Sequence, residues 1–256
     1  MAWIGLLLLT ILYSEIQASP VSHIVGGTLA KNCEFPHIAF LYIRKGQGTF
    51  SCGGSLIDDT HIVTAAHCVH GDIISVHALF GSLNMRYMND IIPVATYTPH
   101  SQFHTTRQTV LNDVAVLTLS RPVTFSKCKK PIRMIKPNER VSSNCVVAGW
   151  GKTDTNSRPS DNLRRTDVPI MPLNSCSGMV PGITSQHVCV GTARYFGNSA
   201  CKGDSGGPLM CKSLEDGERV LVGLVSYGWT CREGLGIFTS VAYFKQWIDT
   251  QVTQLI

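Results

Sequence analysis

The sequence predicts an all-β protein of barrel or sandwich type, on three observations. Short runs rich in Val, Ile, Leu and Thr alternate with turns of Gly, Pro, Asn and Ser along most of its length. At 256 residues, with 44% hydrophobic and 15% charged residues, the chain can bury a sizeable core as one unit. Only the last segment, where Phe244, Trp247, Ile248 and Val252 recur at helical spacing, reads as an amphipathic helix, over about 242–254.

Taken in order, Ile4 to Leu12 is almost wholly apolar yet too short to cross a bilayer, and Gln17-Ala18 ahead of Ser19 offers a small-residue cleavage point. This predicts a signal peptide over 1–18 and a secreted or vesicle-stored protein without a membrane anchor. Strand runs follow at His37 to Ile43, Val114 to Leu119, Cys145 to Gly149 and Val220 to Val225. The Lys-, Pro- and polar-rich stretch from Arg121 to Ser143 reads as a crossing between two halves. Net charge is +5, and +6 once residues 1–23, whose only charged side chain is Glu15, are set aside. Basicity this mild, without a dense Lys/Arg block or an aromatic-interleaved basic stripe, argues against a nucleic-acid partner. Ten cysteines behind a signal peptide imply an oxidising compartment and bridges whose connectivity the residues alone leave open. No Cys-x-x-Cys pair is present to point to a metal, and no metal is expected.

Three segments carry chemistry. Thr64-Ala65-Ala66-His67-Cys68, then Leu111-Asn112-Asp113-Val114-Ala115-Val116-Leu117, then Lys202-Gly203-Asp204-Ser205-Gly206-Gly207 supply an imidazole, a carboxylate and a hydroxyl. A serine hydroxyl is a poor nucleophile at neutral pH unless an imidazole takes its proton and a buried carboxylate fixes that imidazole's tautomer. Singly, His67 reads as a structural histidine, Asp113 as a turn residue and Ser205 as part of a tight glycine bend. Jointly, in the order His, Asp, Ser, they resemble the chymotrypsin-like, trypsin-fold serine proteases, and the resemblance runs from Ile24 to Ile256.

That resemblance implies two six-stranded antiparallel β-barrels packed together with the C-terminal helix, the first over about 24–125 and the second over about 140–245. It implies an activation propeptide at 19–23 and a catalytic domain over 24–256. Catalysis would fall to His67, Asp113 and Ser205, with the backbone N–H groups of Gly203 and Ser205 as oxyanion hole. Cleavage before Ile24 would free an α-amino group to pair with Asp204; His23 departs from the Arg or Lys usual at this point. Ser226 matches a position that contacts the aspartate and lends backbone to substrate. Ser199, Gly228 and Gly236 would form a neutral, open pocket suited to large apolar residues before the scissile bond. Tyr227 stands where Trp is commoner and Leu235 where Pro is commoner, and Glu233 could bring negative charge to the pocket. The implied disulfides are Cys52 with Cys68, Cys145 with Cys211, Cys176 with Cys189 and Cys201 with Cys231, leaving Cys33 and Cys128 to each other. The loop beginning Ser82-Leu83-Asn84 lacks acidic residues for calcium, and no cofactor is implied. Expected partners are protein or peptide substrates and proteinaceous protease inhibitors, the chain acting as a monomer. The alternatives are a catalytically silent homologue serving as a binding module, or an active protease of trypsin-like or elastase-like preference.

Overall fold

The computed structural model describes residues 27–152, 157–191, 203–228 and 235–254. Its strands are β1 (Thr28–Leu29), β2 (Ile38–Lys45), β3 (Gly48–Leu56), β4 (His61–Thr64), β5 (Ile73–Phe80), β6 (Asp90–Pro99), β7 (His104–Thr105), β8 (Val110–Leu111), β9 (Ala115–Leu119), β10 (Asn144–Gly149), β11 (Arg164–Met171), β12 (His187–Val190), β13 (Pro208–Lys212), β14 (Arg219–Gly228) and β15 (Gly236–Ser240). The helices are α1 (Ala66–Val69), α2 (Leu173–Ser177) and α3 (Val241–Gln254).

Six strands close the first barrel in the order β2-β3-β4-β9-β6-β5, every pairing antiparallel. Strand β2 sends Ala39, Leu41 and Ile43, all fully buried, into the barrel interior, and Ile38 and Phe40 on its other face into the seam with the second barrel, leaving Tyr42 exposed. Leu56, Ile62, Phe80, Ile92 and Leu117 from the other strands complete its interior. The second barrel runs β11-β10-β13-β14-β15-β12 and closes through Ile170 opposite Val190 and Met171 opposite Cys189. Two six-stranded barrels and a C-terminal helix are thus the architecture. Strand β1 precedes the first barrel in sequence but adds to the second, Thr28 pairing with Arg165 and Leu29 with Arg164.

A second core cluster runs from inside the second barrel (Val147, Leu209, Leu224, Phe238) into the seam between barrels, where Phe40, Val63, Val114 and Val116 join it. Phe40 meets Trp150 edge to face across that seam at 5.7 Å, and the Trp150 indole N–H donates to the Leu83 carbonyl at 2.8 Å. Helix α3 buries Phe244 and Ile248 in the same cluster, each worth about 1.5–3 kcal/mol of apolar transfer. The one-turn helices α1 and α2 carry no amphipathic period and were not foreseen. Disulfides join Cys33 to Cys128, Cys52 to Cys68, Cys145 to Cys211 and Cys176 to Cys189. Cys201 and Cys231 lie outside the described residues, as do the segments assigned to the signal peptide and propeptide. Among the described residues no helix is long and apolar enough to cross a membrane.

Candidate active site

Strand β4 ends at Thr64, and the single turn of α1 that follows buries Ala66, Cys68 and Val69 while leaving the His67 side chain 31% exposed at the seam. The Cys52–Cys68 bridge to β3 fastens this turn from behind. His67 and the sulfurs of Cys52 and Cys68 lie close together, but the sulfurs are bonded to each other and offer no thiolate to a metal.

Asp113 reaches His67 from the segment before β9. Asn112 has φ 54°, and the Val114 amide donates to the Asn112 carbonyl at 2.9 Å, which puts Asp113 at the centre of a three-residue turn. Its side chain is 1% exposed and is met by three donors. The His67 amide donates to Oδ1 at 2.9 Å, the His67 ring lies with Nδ1 2.8 Å from Oδ2, and the Ser226 hydroxyl donates to Oδ2 at 2.5 Å. Burial pushes this carboxyl up, but the charge and hydrogen bonds of His67 together with the Ser226 hydroxyl outweigh it and hold Asp113 below the ordinary carboxylate range. An ionised Asp113 has only acceptors to offer, so Nδ1 carries the proton and Nε2 is free to accept one.

Ser205 sits in a turn locked against both barrels. Its carbonyl accepts from the Gly53 amide of β3 at 2.7 Å, the Gly206 amide donates to the Val225 carbonyl of β14 at 2.8 Å, and the Gly207 amide donates to the Asp204 carbonyl at 2.9 Å. Gly206 has φ 73°, and a Cβ there would lie 2.1 Å from Thr64 Oγ1 and 2.7 Å from the Gly53 carbonyl oxygen. The turn therefore packs directly on the strand end that leads to His67. Gly203, φ 100°, brings its Cα side against Gly151, where a Cβ would lie 3.0 Å from the Gly151 Cα. The positive φ at 203 lies in the left-handed region that favours glycine. His67 and Asp113 are thus joined by two contacts, and the Ser205 turn packs on the strand end that leads to His67.

Asp204 is fully buried, its carboxylate occupying the space beside Gly149 and Gly151 and accepting from the Gly151 amide at 2.8 Å. Gly228 and Gly236 face each other at the ends of β14 and β15, and Ser226 lies two residues before Gly228, on the same strand. Ile24 and Ser199 lie outside the described residues, as does Glu233. Sequence reasoning missed Thr239, whose hydroxyl donates to the Asp113 carbonyl at 2.8 Å from β15. Nothing local marks it, because the contact joins positions far apart in the chain.

A polarised imidazole beside a hydroxyl in a glycine turn can take a proton from that hydroxyl as it attacks a carbonyl. The comparisons bear on what carries this site. Residues 24–248 match the family described as trypsin. The chain belongs to the trypsin family. Granzyme B of Rattus norvegicus is 31% identical over 248 residues, covering 95% of this chain and 96% of that protein. A trypsin of Phaedon cochleariae is 30% identical over 247 residues, covering 93% and 91%, and phenoloxidase-activating factor 3 of Holotrichia diomphalia is 33% identical over 256 residues, covering 90% and 72%. A solved HL collagenase superposes with a TM-score of 0.77 at 30% identity, covering 90% of this chain and 98% of that one. This trypsin-family chain is a serine endopeptidase with the two-barrel, chymotrypsin-like fold.

Proposed function

We propose that the chain is a secreted serine endopeptidase in which Ser205 attacks the scissile carbonyl, His67 Nε2 takes and returns the proton, and Asp113 fixes the imidazole's tautomer. The observation that carries this reading is the network at Asp113: three donors converge on one buried carboxylate, two of them from His67, while the Ser205 turn packs on the strand that ends before His67. Acyl transfer would then follow. The hydroxyl oxygen bonds to the carbonyl carbon as its proton passes to Nε2, the amine leaves with that proton, and water reverses the sequence to release the acid. The amides of Gly203 and Ser205 would hold the carbonyl oxygen as it gains charge.

Residues 1–18 would direct secretion, and removal of 19–23 from the zymogen would free Ile24, whose α-amino group would pair with Asp204. The full burial of Asp204, which already accepts from the Gly151 amide at 2.8 Å, is compatible with such a pairing. Gly228 and Gly236, facing each other without side chains, favour large apolar residues before the cleaved bond, and the family resemblance would add the neutral Ser199 to that pocket. The test is hydrolysis of peptides differing only at that residue, by protein processed to a free Ile24 terminus. Phe, Tyr and Leu substrates outpacing Arg substrates is the expected result; the reverse order overturns the specificity.

A further inference from the structure

Four hydrogen bonds fasten the segment leading into Asp113 onto the second barrel, and they concentrate on the stretch from Gly182 to His187. The Asn112 amide donates to Gln186 Oε1 at 3.0 Å. His187 Nε2 lies 2.8 Å from the Val110 carbonyl oxygen. The Thr109 hydroxyl donates to the Gly182 carbonyl at 3.2 Å and lies 3.2 Å from the Tyr227 hydroxyl on β14. The tautomer of His187 is settled by its other nitrogen: the Thr184 amide can only donate, and it meets Nδ1 at 3.1 Å, so Nε2 carries the proton and donates to Val110.

These bonds act where the backbone is under constraint. Asn112 lies in the left-handed region at φ 54°, which asparagine tolerates without being confined to it, and it is held there on two sides, by Gln186 at its amide and by its own side chain donating to the Gln102 carbonyl at 2.9 Å. The next residue is Asp113, at the centre of the three-residue turn, so a rotation at Asn112 swings the carboxylate away from His67. Asp113 is also bonded through Ser226 and Thr239, both on the second barrel, while His67 belongs to the first. The carboxylate is therefore held from the second barrel as well as from the first.

We infer that Gln186 is a positioning residue for Asp113, with His187 as its support: Gln186 holds Asn112 in the left-handed conformation that aims the carboxylate at His67, and His187 anchors the segment two residues earlier. The inference rests on the proposed roles of His67, Asp113 and Ser205. The test compares Gln186→Met, which keeps the length and removes the acceptor, with Gln186→Glu, which restores an oxygen for the Asn112 amide. Active sites are counted with a serine-directed phosphonate, and kcat and KM are measured across pH on a peptide substrate. Gln186→Met is expected to lose about tenfold in kcat per titrated site with KM unchanged, as sub-ångström misplacement does. It is also expected to move the acid limb of the kcat/KM profile to lower pH, because a displaced carboxylate stabilises the His67 imidazolium less; Gln186→Glu recovers both. A role in packing alone lowers the melting temperature or the titrated fraction and leaves kcat per site and the acid limb in place, and that result overturns the inference. Should Gln186→Met not fold, His187→Phe keeps the ring and removes the bond to Val110; an unchanged kcat and acid limb there overturns it as well. A wild type that the phosphonate does not label overturns the protease roles themselves, and the positioning role with them.

Discussion

Replacing Asp113 by Asn separates the chemistry of the site from its architecture. All three partners of this carboxylate are donors in the native arrangement: the His67 amide on Oδ1, and His67 Nδ1–H with the Ser226 hydroxyl on Oδ2. An asparagine of the same shape has one acceptor oxygen and one NH₂ group. The amide N–H of His67 cannot change its role, so the oxygen stays with it and the NH₂ takes the place of Oδ2. The Ser226 hydroxyl then rotates to accept, and His67 Nδ1 must accept too, which sends the ring proton to Nε2 and leaves no base facing Ser205. Every group keeps a partner, so the fold should lose no more than about 1–3 kcal/mol, the cost of one poorly satisfied buried group. The chemistry should lose far more: a wrong tautomer in the Ser-His-Asp template lowers kcat on the order of 10⁴-fold, or about 5.5 kcal/mol at 1.36 kcal/mol per factor of ten. Turnover per active site on a peptide substrate, alongside urea unfolding, reads both quantities. An Asp113→Asn protein folded like the wild type and within tenfold of its kcat would refute the tautomer argument.

Other substitutions test the surroundings. Gly206→Ala places a methyl against Thr64 Oγ1 and the Gly53 carbonyl at φ 73°, and should lower stability by about 1–3 kcal/mol in denaturant unfolding while reducing turnover through the shifted Ser205. Glu139 accepts both Arg133 guanidinium N–H groups at 2.9 Å, and this pairing, against the cost of burial, lowers its pKa from the ordinary 4.5 to about 2. The stability that it supplies is complete above pH 4.5 and lost as pH falls towards 2, so Glu139→Gln should cost about 1.5–3 kcal/mol at pH 7 and a shrinking amount through that window. His37 is buried against the Met210 sulfur, 3.0 Å from Nε2; burial, and secondarily the Arg219 charge, lower its pKa from 6.5 to about 3. Between pH 6.5 and 3 the unfolded chain binds a proton there that the folded one refuses, so wild-type stability falls with acid across this range, and His37→Phe should flatten that part of the curve.

The sequence disclosed the parts of this molecule that are written locally. The apolar run His37 to Ile43 covers most of strand β2, Ile38–Lys45. The spacing of Phe244 and Ile248 is the buried face of α3. Asp113, His67 and Ser205 stood out because each lies in a short motif whose neighbours are needed for its pose: the cysteine behind His67, the turn residue before Asp113, the glycines around Ser205. What stayed hidden depends on chain segments that meet only in the fold. Thr28 gives no sign that it will pair with Arg165 on the other barrel. Thr239 is one more β-branched residue in a buried strand until its hydroxyl is found on the Asp113 carbonyl. Gln186 is an ordinary polar residue at a strand edge until the Asn112 amide reaches it. The positive φ of Asn112 is equally silent, since asparagine in a turn tolerates that conformation without demanding it. Closure of the two barrels could be expected only from the family resemblance, because short apolar runs between turns fit a sandwich as well as a barrel.

The most direct measurement of the central claim is labelling by a serine-directed phosphonate, with peptide turnover, of wild type and Ser205→Ala, both processed to a free Ile24 terminus. The account predicts stoichiometric labelling and turnover in the wild type and neither in Ser205→Ala, with both proteins folded. Turnover that survives in Ser205→Ala, or a wild type with a confirmed Ile24 terminus that neither labels nor cleaves, would contradict it.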